Sequence, residues 1–107
     1  MHIETTSVEV VPLDDIGRDP IFVKIDVQGY EIEVLRGLIR TIGAYKPVIL
    51  IERNDDNLEL VHKFLEQRGY TMVDYRNLRS IDLDEAQEFY NLVFWPEGLK
   101  PLRREAA

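Results

Sequence analysis

"VKIDVQGYEIEVLRG", residues 23–37, decides the fold. Its first residues read as a buried strand, Gly29 as a tight turn, and Glu31 onward as a helix. Taken from Pro20, the strand "PIFVKIDV" is apolar on both faces, the pattern of a sheet strand covered by helices on both sides. Two charges interrupt it, Lys24 and Asp26, and charges rarely enter a buried strand without a partner or a task. Downstream, Leu35, Leu38, Ile39 and Ile42 fall at i, i+3, i+4 and i+7, which predicts one amphipathic helix ended by Gly43 and Pro47. Gly37 inside it costs about 1 kcal/mol relative to Ala, pointing to close packing there.

Outward from this stretch the chain keeps alternating. "SVEVV" (7–11) reads as a weak strand and "PLDDIG" as a short helix or turn. "PVILIE" (47–52) is a second buried strand. A helix capped by Asn54 or Asp55 then buries Leu58, Val61, Phe64 and Leu65 and closes at Gly69. "YTMVDYR" (70–76) and "FYNLVFWP" (89–96) are strands, with the polar "NLRSIDLDEAQE" between them as a loop. About a dozen residues without helical period separate these last two strands, so the final one is expected to run antiparallel. Residues 97–107 read as a frayed tail. The order defines an α/β domain with a mainly parallel sheet.

Composition narrows the function. The chain has 107 residues, 45% apolar and 31% charged, as a soluble globular domain does. Its net charge of -7 offers no basic stripe for phosphates, which argues against nucleic acid. There is no cysteine, and the two histidines, His2 and His62, are isolated, so no transition-metal site is expected. The longest aliphatic run, "VILI", is too short for a bilayer, and "MHIETTSVEV" lacks a signal-peptide pattern; no membrane partner and a cytoplasmic location are the expectations.

"PLDDI", "FVKIDVQGYEIEVLRG", "KPVILIE" and "NLVFWP", in this order and spacing, resemble the C-terminal half of FkbM-family methyltransferases over roughly residues 8–96. The family pattern Lys-Ile-Asp-hydrophobic-Glu-Gly-x-Glu, followed by Leu-x-Gly, is met by Lys24, Ile25, Asp26, Gly29, Glu31, Leu35 and Gly37. Gln28 stands where the family usually has glutamate. The resemblance implies a Rossmann-like class I fold in which this chain supplies strands four to seven, with helices on both faces. It also implies S-adenosylmethionine (SAM) as cofactor and O-methylation of a sugar or related metabolite. The glycine-rich loop that grips most of the cofactor in such folds is not found in these residues. Residues 1–107 are therefore expected to be the acceptor-side part of one domain, inactive alone.

In such a fold, ligands bind outside the carboxyl ends of the strands. Asp26 and Glu52, which end adjacent strands, are the candidate catalytic residues. Asp26 could orient or deprotonate an acceptor hydroxyl, or be structural. Lys24, Gln28, Gly29 and Glu31 are candidate substrate-binding or supporting residues. Lys24 lies on the face of Asp26, deep enough to need a carboxylate partner. Glu31 is either a helix-start charge or a ligand contact. Asp14 and Asp15 read as a cap and a solvated charge, and His62 as exposed. The expected partner is a small-molecule or glycan acceptor. Without a first strand beside it, 21–27 is also expected to expose an edge through which chains self-associate. Two other readings remain: a stand-alone, non-catalytic binding module on the same half-fold, and a receiver-type domain. A receiver-type domain places paired acids after its first strand and a lysine near its end, which this sequence does not.

Overall fold

The computed structural model describes residues 6–12 and 21–99, with side chains from Phe22 onward. The turn or helix expected after Pro12, with Asp14, Asp15 and His2, lies outside them, as do residues 100–107. Five strands, β1 (Thr6–Pro12), β2 (Ile21–Val27), β3 (Val48–Glu52), β4 (Tyr70–Val73) and β5 (Asn91–Pro96), form one sheet in the order β1-β2-β3-β5-β4. β2 and β3 are parallel, and β5 runs antiparallel to β3 on one side and to β4 on the other, as the short connection before it predicted.

The helices are α1 (Glu31–Gly37), α2 (Ile39–Tyr45) and α3 (Leu58–Glu66). The single helix expected after Gly29 is thus two. The break falls at Leu38, whose backbone (φ -101°, ψ 9°) leaves the helical well. Gly37 sits at this break and an added Cβ would meet nothing within 4 Å, so the close packing expected there is absent. A glycine, poor in helix propensity, precedes Leu38 where the apolar stripe must rotate to keep Leu35 and Ile42 on the sheet. Gly43 does not end α2. Lys46 does, in the left-handed region at φ 50°, before Pro47. Neither Asn54 nor Asp55 caps α3. Asn57 is its N-cap, while the Asn54 side chain accepts the Asp56 N–H in the preceding turn.

All three helices pack on one face of the sheet. Leu35, Ile42, Leu58, Val61 and Leu65 share a core with Val23, Ile25, Val27, Ile49, Ile51 and Phe94. The opposite face carries a smaller cluster of Val48, Val73 and Val93, flanked by Phe22, Leu50 and Trp95. The expectation of helices on both faces is corrected: among the described residues none covers this second face. Strand alternation explains it. Phe22, Lys24 and Asp26 point away from the helices, and it is their face, with its two charges, that stays open. Lys24 is exposed, so it needs no buried carboxylate. In the β1–β2 register it stands opposite Glu9, a complementary cross-strand position.

β1 pairs antiparallel with β2 from Thr6↔Val27 to Pro12↔Ile21. The open edge expected at 21–27 is therefore occupied, and β1 itself is the outer strand. The frayed tail is corrected in its first residues. Glu97 N–H donates to the Gly69 carbonyl (2.7 Å), and Trp95 Nε1 donates to the Leu99 carbonyl (2.8 Å). Inside the expected loop, Asp82 and Glu85 cap each other's backbone N–H (2.8 and 3.1 Å) and open a 3-10 turn, Glu85–Glu88.

The β2–α1 turn is closed by Tyr30 N–H to the Val27 carbonyl (3.0 Å), with Gly29 at φ 85°. Space there is open, so Gly29→Ala meets no clash and carries only the backbone penalty of a left-handed residue, about 1–2 kcal/mol. Urea denaturation is expected to show this loss. An unchanged midpoint would mean that the turn relaxes freely.

Candidate functional site

The parallel pairing of β2 and β3 matches Ile25 with Ile51, so the next residues, Asp26 and Glu52, lie side by side where both strands end. Alternation puts both on the face away from the helices, and both are half-buried. The sequence expectation that they share one rim is met. β5 brings a third group. Glu52 is paired with Asn91, and Arg53 N–H donates to the Tyr90 carbonyl (2.9 Å), which sets Tyr90 beside the acids. Interaction of its phenol with the Glu52 carboxylate, foremost, then desolvation and the Asp26 charge, raise the phenol's pKa above its ordinary value.

Arg53 holds this arrangement. Its Nη1 donates to the carbonyls of Gln87 and Phe89 (2.7 Å each) and Ala86 (3.3 Å), while Nε pairs with Asp55 (3.0 Å). One guanidinium thus gathers the carbonyls at the C-terminal end of the 3-10 turn, where Ala86 O also accepts the Phe89 N–H (3.0 Å), and ties it to the end of β3. Sequence reasoning missed Arg53 and Tyr90. Their contacts span more than thirty positions, and no local pattern announces them.

Two hollows flank the acids. One, of about 440 Å³, is lined by Gln28, Glu31, Glu52, Arg53 and the 54–56 turn. The other, of about 310 Å³, lies over Leu50 and Val93, between Tyr75, Glu88, Phe89, Tyr90 and Asn91. Gln28, exposed in the β2–α1 turn, faces the first. Glu31 also borders it but is only 2% exposed. Both its oxygens are engaged: Oε2 accepts the Gly29 N–H (3.2 Å) and Oε1 accepts Asn57 Nδ2 (2.6 Å). This carboxylate joins the turn after β2 to the start of α3. His62 is half-buried, on α3, away from the acids. Among the described residues no three His, Asp or Glu side chains gather closely enough for a metal ion, and no helix is long and apolar enough to cross a membrane.

Beyond the second hollow, Asp74 is buried at the end of β4 and receives three bonds from Arg76: from N–H (2.8 Å), Nε (2.9 Å) and Nη2 (2.7 Å). The Arg76 side-chain bonds, foremost, hold the Asp74 carboxyl below its ordinary 3.8, at about 2. Because the folded pKa is depressed, the stabilisation is complete above about pH 4 and is lost as pH falls toward 2. Asp74→Asn is expected to lower stability at neutral pH and to flatten the decline between those limits. Denaturation at a series of acidic pH values checks it, and an unaltered acid limb would show that the pair contributes nothing.

The fold defined here is an α/β domain whose chemistry-bearing side chains gather at the carboxyl ends of its parallel strands, where open α/β sheets bind ligands. A family profile described as Methyltransferase FkbM domain matches residues 1–72, two thirds of the 107, and the chain belongs to that family. The match takes in the first three blocks of the resemblance and ends in β4, so Asn91–Pro96 lies beyond it. No curated protein and no solved structure matches.

Proposed function

We propose that the chain is the acceptor-side part of a SAM-dependent O-methyltransferase acting on a sugar or related hydroxylated metabolite. The observation that carries this is the Asp26–Glu52–Tyr90 rim, set at the strand ends in a chain of methyltransferase family. The strand order β2-β3-β5-β4, with β5 antiparallel, supports reading these as strands four to seven of a class I fold. SAM supplies an electrophilic methyl group when bound. The described residues do not form a cradle for it: the turn after β2 has one glycine, and the Glu31 carboxylate beside it is already engaged. No residue here is assigned to the cofactor. The acceptor side is what these residues fit. An acceptor hydroxyl at the rim donates a hydrogen bond to Asp26, which takes its proton as the oxygen becomes the nucleophile. Glu52, beside Asp26 at the strand ends, accepts a second hydrogen bond from the acceptor and so holds its reacting hydroxyl toward Asp26.

A second reading is a stand-alone, non-catalytic binding module. The pairing of β1 along the whole of β2 favours it, because an antiparallel strand of this chain fills the position beside β2. Calorimetric titration of residues 1–107 with SAM tests the first. The acceptor-side reading predicts binding weaker than micromolar, and micromolar binding would overturn it. Labelled methyl transfer to hydroxylated acceptors by the intact protein, if absent, would leave the binding module.

A further inference from the structure

We propose that the hollow over Leu50 and Val93 is the acceptor pocket and that it selects a non-anionic sugar, an amino sugar being favoured over a uronate or phosphorylated one. The inference rests on the methyltransferase reading for the acceptor's general class, but its charge selection comes from the residues around the hollow. Leu50 and Val93 are register partners on β3 and β5 and give it an aliphatic floor. Tyr75 and Tyr90, 62% and 71% exposed, are unusually open for large rings. Tyr75 stands edge-on to Phe89, with centroids 5.9 Å apart at 80°. The Tyr90 backbone is held by its carbonyl, which accepts the Arg53 N–H (2.9 Å), and its phenol lies toward Glu52. Open aromatic rings beside an aliphatic floor suit the C–H faces of a sugar ring, while its hydroxyls and any amine reach the rim. The volume, about 310 Å³, is at the lower end for small-ligand pockets and admits one monosaccharide unit.

The charges facing the hollow decide the sign. Glu88 lines it, and Glu52 and Asp26 act on Tyr90 from the strand ends. Against these stand three cations. Arg76 lies over the Phe89 ring at 5.5 Å, but it is engaged by Asp74 through two side-chain bonds. Arg53, whose Nη1 donates to the Phe89 carbonyl (2.7 Å), is paired with Asp55. Lys24 is exposed on the face of Asp26 and offsets only one of the three carboxylates. The remaining field is negative. It repels a carboxylate or phosphate on the acceptor and attracts a protonated amine.

Saturation-transfer and amide-shift NMR with glucosamine, glucose and glucuronate, three sugars on one ring, tests this without SAM, at a pH that keeps the amine protonated. The expected order is glucosamine, then glucose, then glucuronate, with about tenfold between the ends. Tyr90→Ala is expected to weaken glucosamine and glucose alike, and Glu52→Gln to compress the order. Both side chains are at least partly solvent-facing, and Tyr90→Phe separates the ring from its hydroxyl. Equal or reversed ranking, no binding by any of the three, or indifference to Tyr90→Ala would overturn the proposal. Since no methyl transfer is read, such a failure differs from failure of the methyltransferase reading, which leaves binding intact and turnover absent.

Discussion

Asp26→Asn in the intact protein is expected to lower kcat for methyl transfer by about 10²–10⁴-fold, the range a positioned general base contributes. The substitution keeps the size of the side chain, removes its charge and basicity, and exchanges one acceptor oxygen for an NH2 donor. Asp26 lies at the end of β2, half-buried on the open face, so stability is expected to change little. That combination separates a catalytic role from a structural one. A buried structural carboxylate shows the reverse pattern, as Glu31 is positioned to do through its bonds to Gly29 and Asn57. Wild-type turnover in Asp26→Asn, or a loss of turnover matched by unfolding, would make Asp26 structural.

Phe94→Ala is expected to cost about 3–5 kcal/mol, the usual range for emptying a buried phenylalanine site. Phe94 is among the largest side chains fully buried in this core. It lies on β5, between Ile49 of β3 and Met72 of β4 in register, so the cavity opens where three strands meet the helical layer. Whole domains of this size are stable by only about 5–15 kcal/mol, so one substitution removes a large share. The site should suffer too, because β5 continues directly from Tyr90. Urea denaturation reads the loss as a lower midpoint at unchanged slope. A loss below about 1 kcal/mol would mean that the sheet collapses into the space and that β5 is not its keystone.

How far the sequence reached follows the range of the interactions. β2 and β3, the turn at Gly29 and the stripe of α3 are set by local patterns, and all appear where those patterns place them. The antiparallel β5 followed from connection length. The adjacency of Asp26 and Glu52 followed from two strands ending in acids. The uncovered face is written in the same strand, in Lys24 and Asp26, but Val23, Ile25 and Val27 on the helix side give the strand as a whole an apolar reading. Leu38 breaks a helix whose apolar spacing is regular, since the stripe drifts relative to the sheet and only packing decides where it resets. Arg53 and Tyr90 were not legible. Their significance arises from three carbonyls and a phenol brought from a distant segment by β5. Asp82 and Glu85, three positions apart, carry the pattern of a capping pair inside a stretch whose polarity otherwise reads as loop.

The central claim is that the two carboxylates at the strand ends act together on an acceptor hydroxyl. Its most direct test is the rate of labelled methyl transfer in the intact protein for Asp26→Asn, Glu52→Gln and the double variant, with SAM affinity measured beside it. Residues acting as a unit are strongly non-additive. The account predicts that the double variant is scarcely slower than Asp26→Asn alone and that SAM affinity is unchanged in all three. Wild-type rates in the double variant, or losses that simply multiply while SAM affinity falls in step, would contradict it.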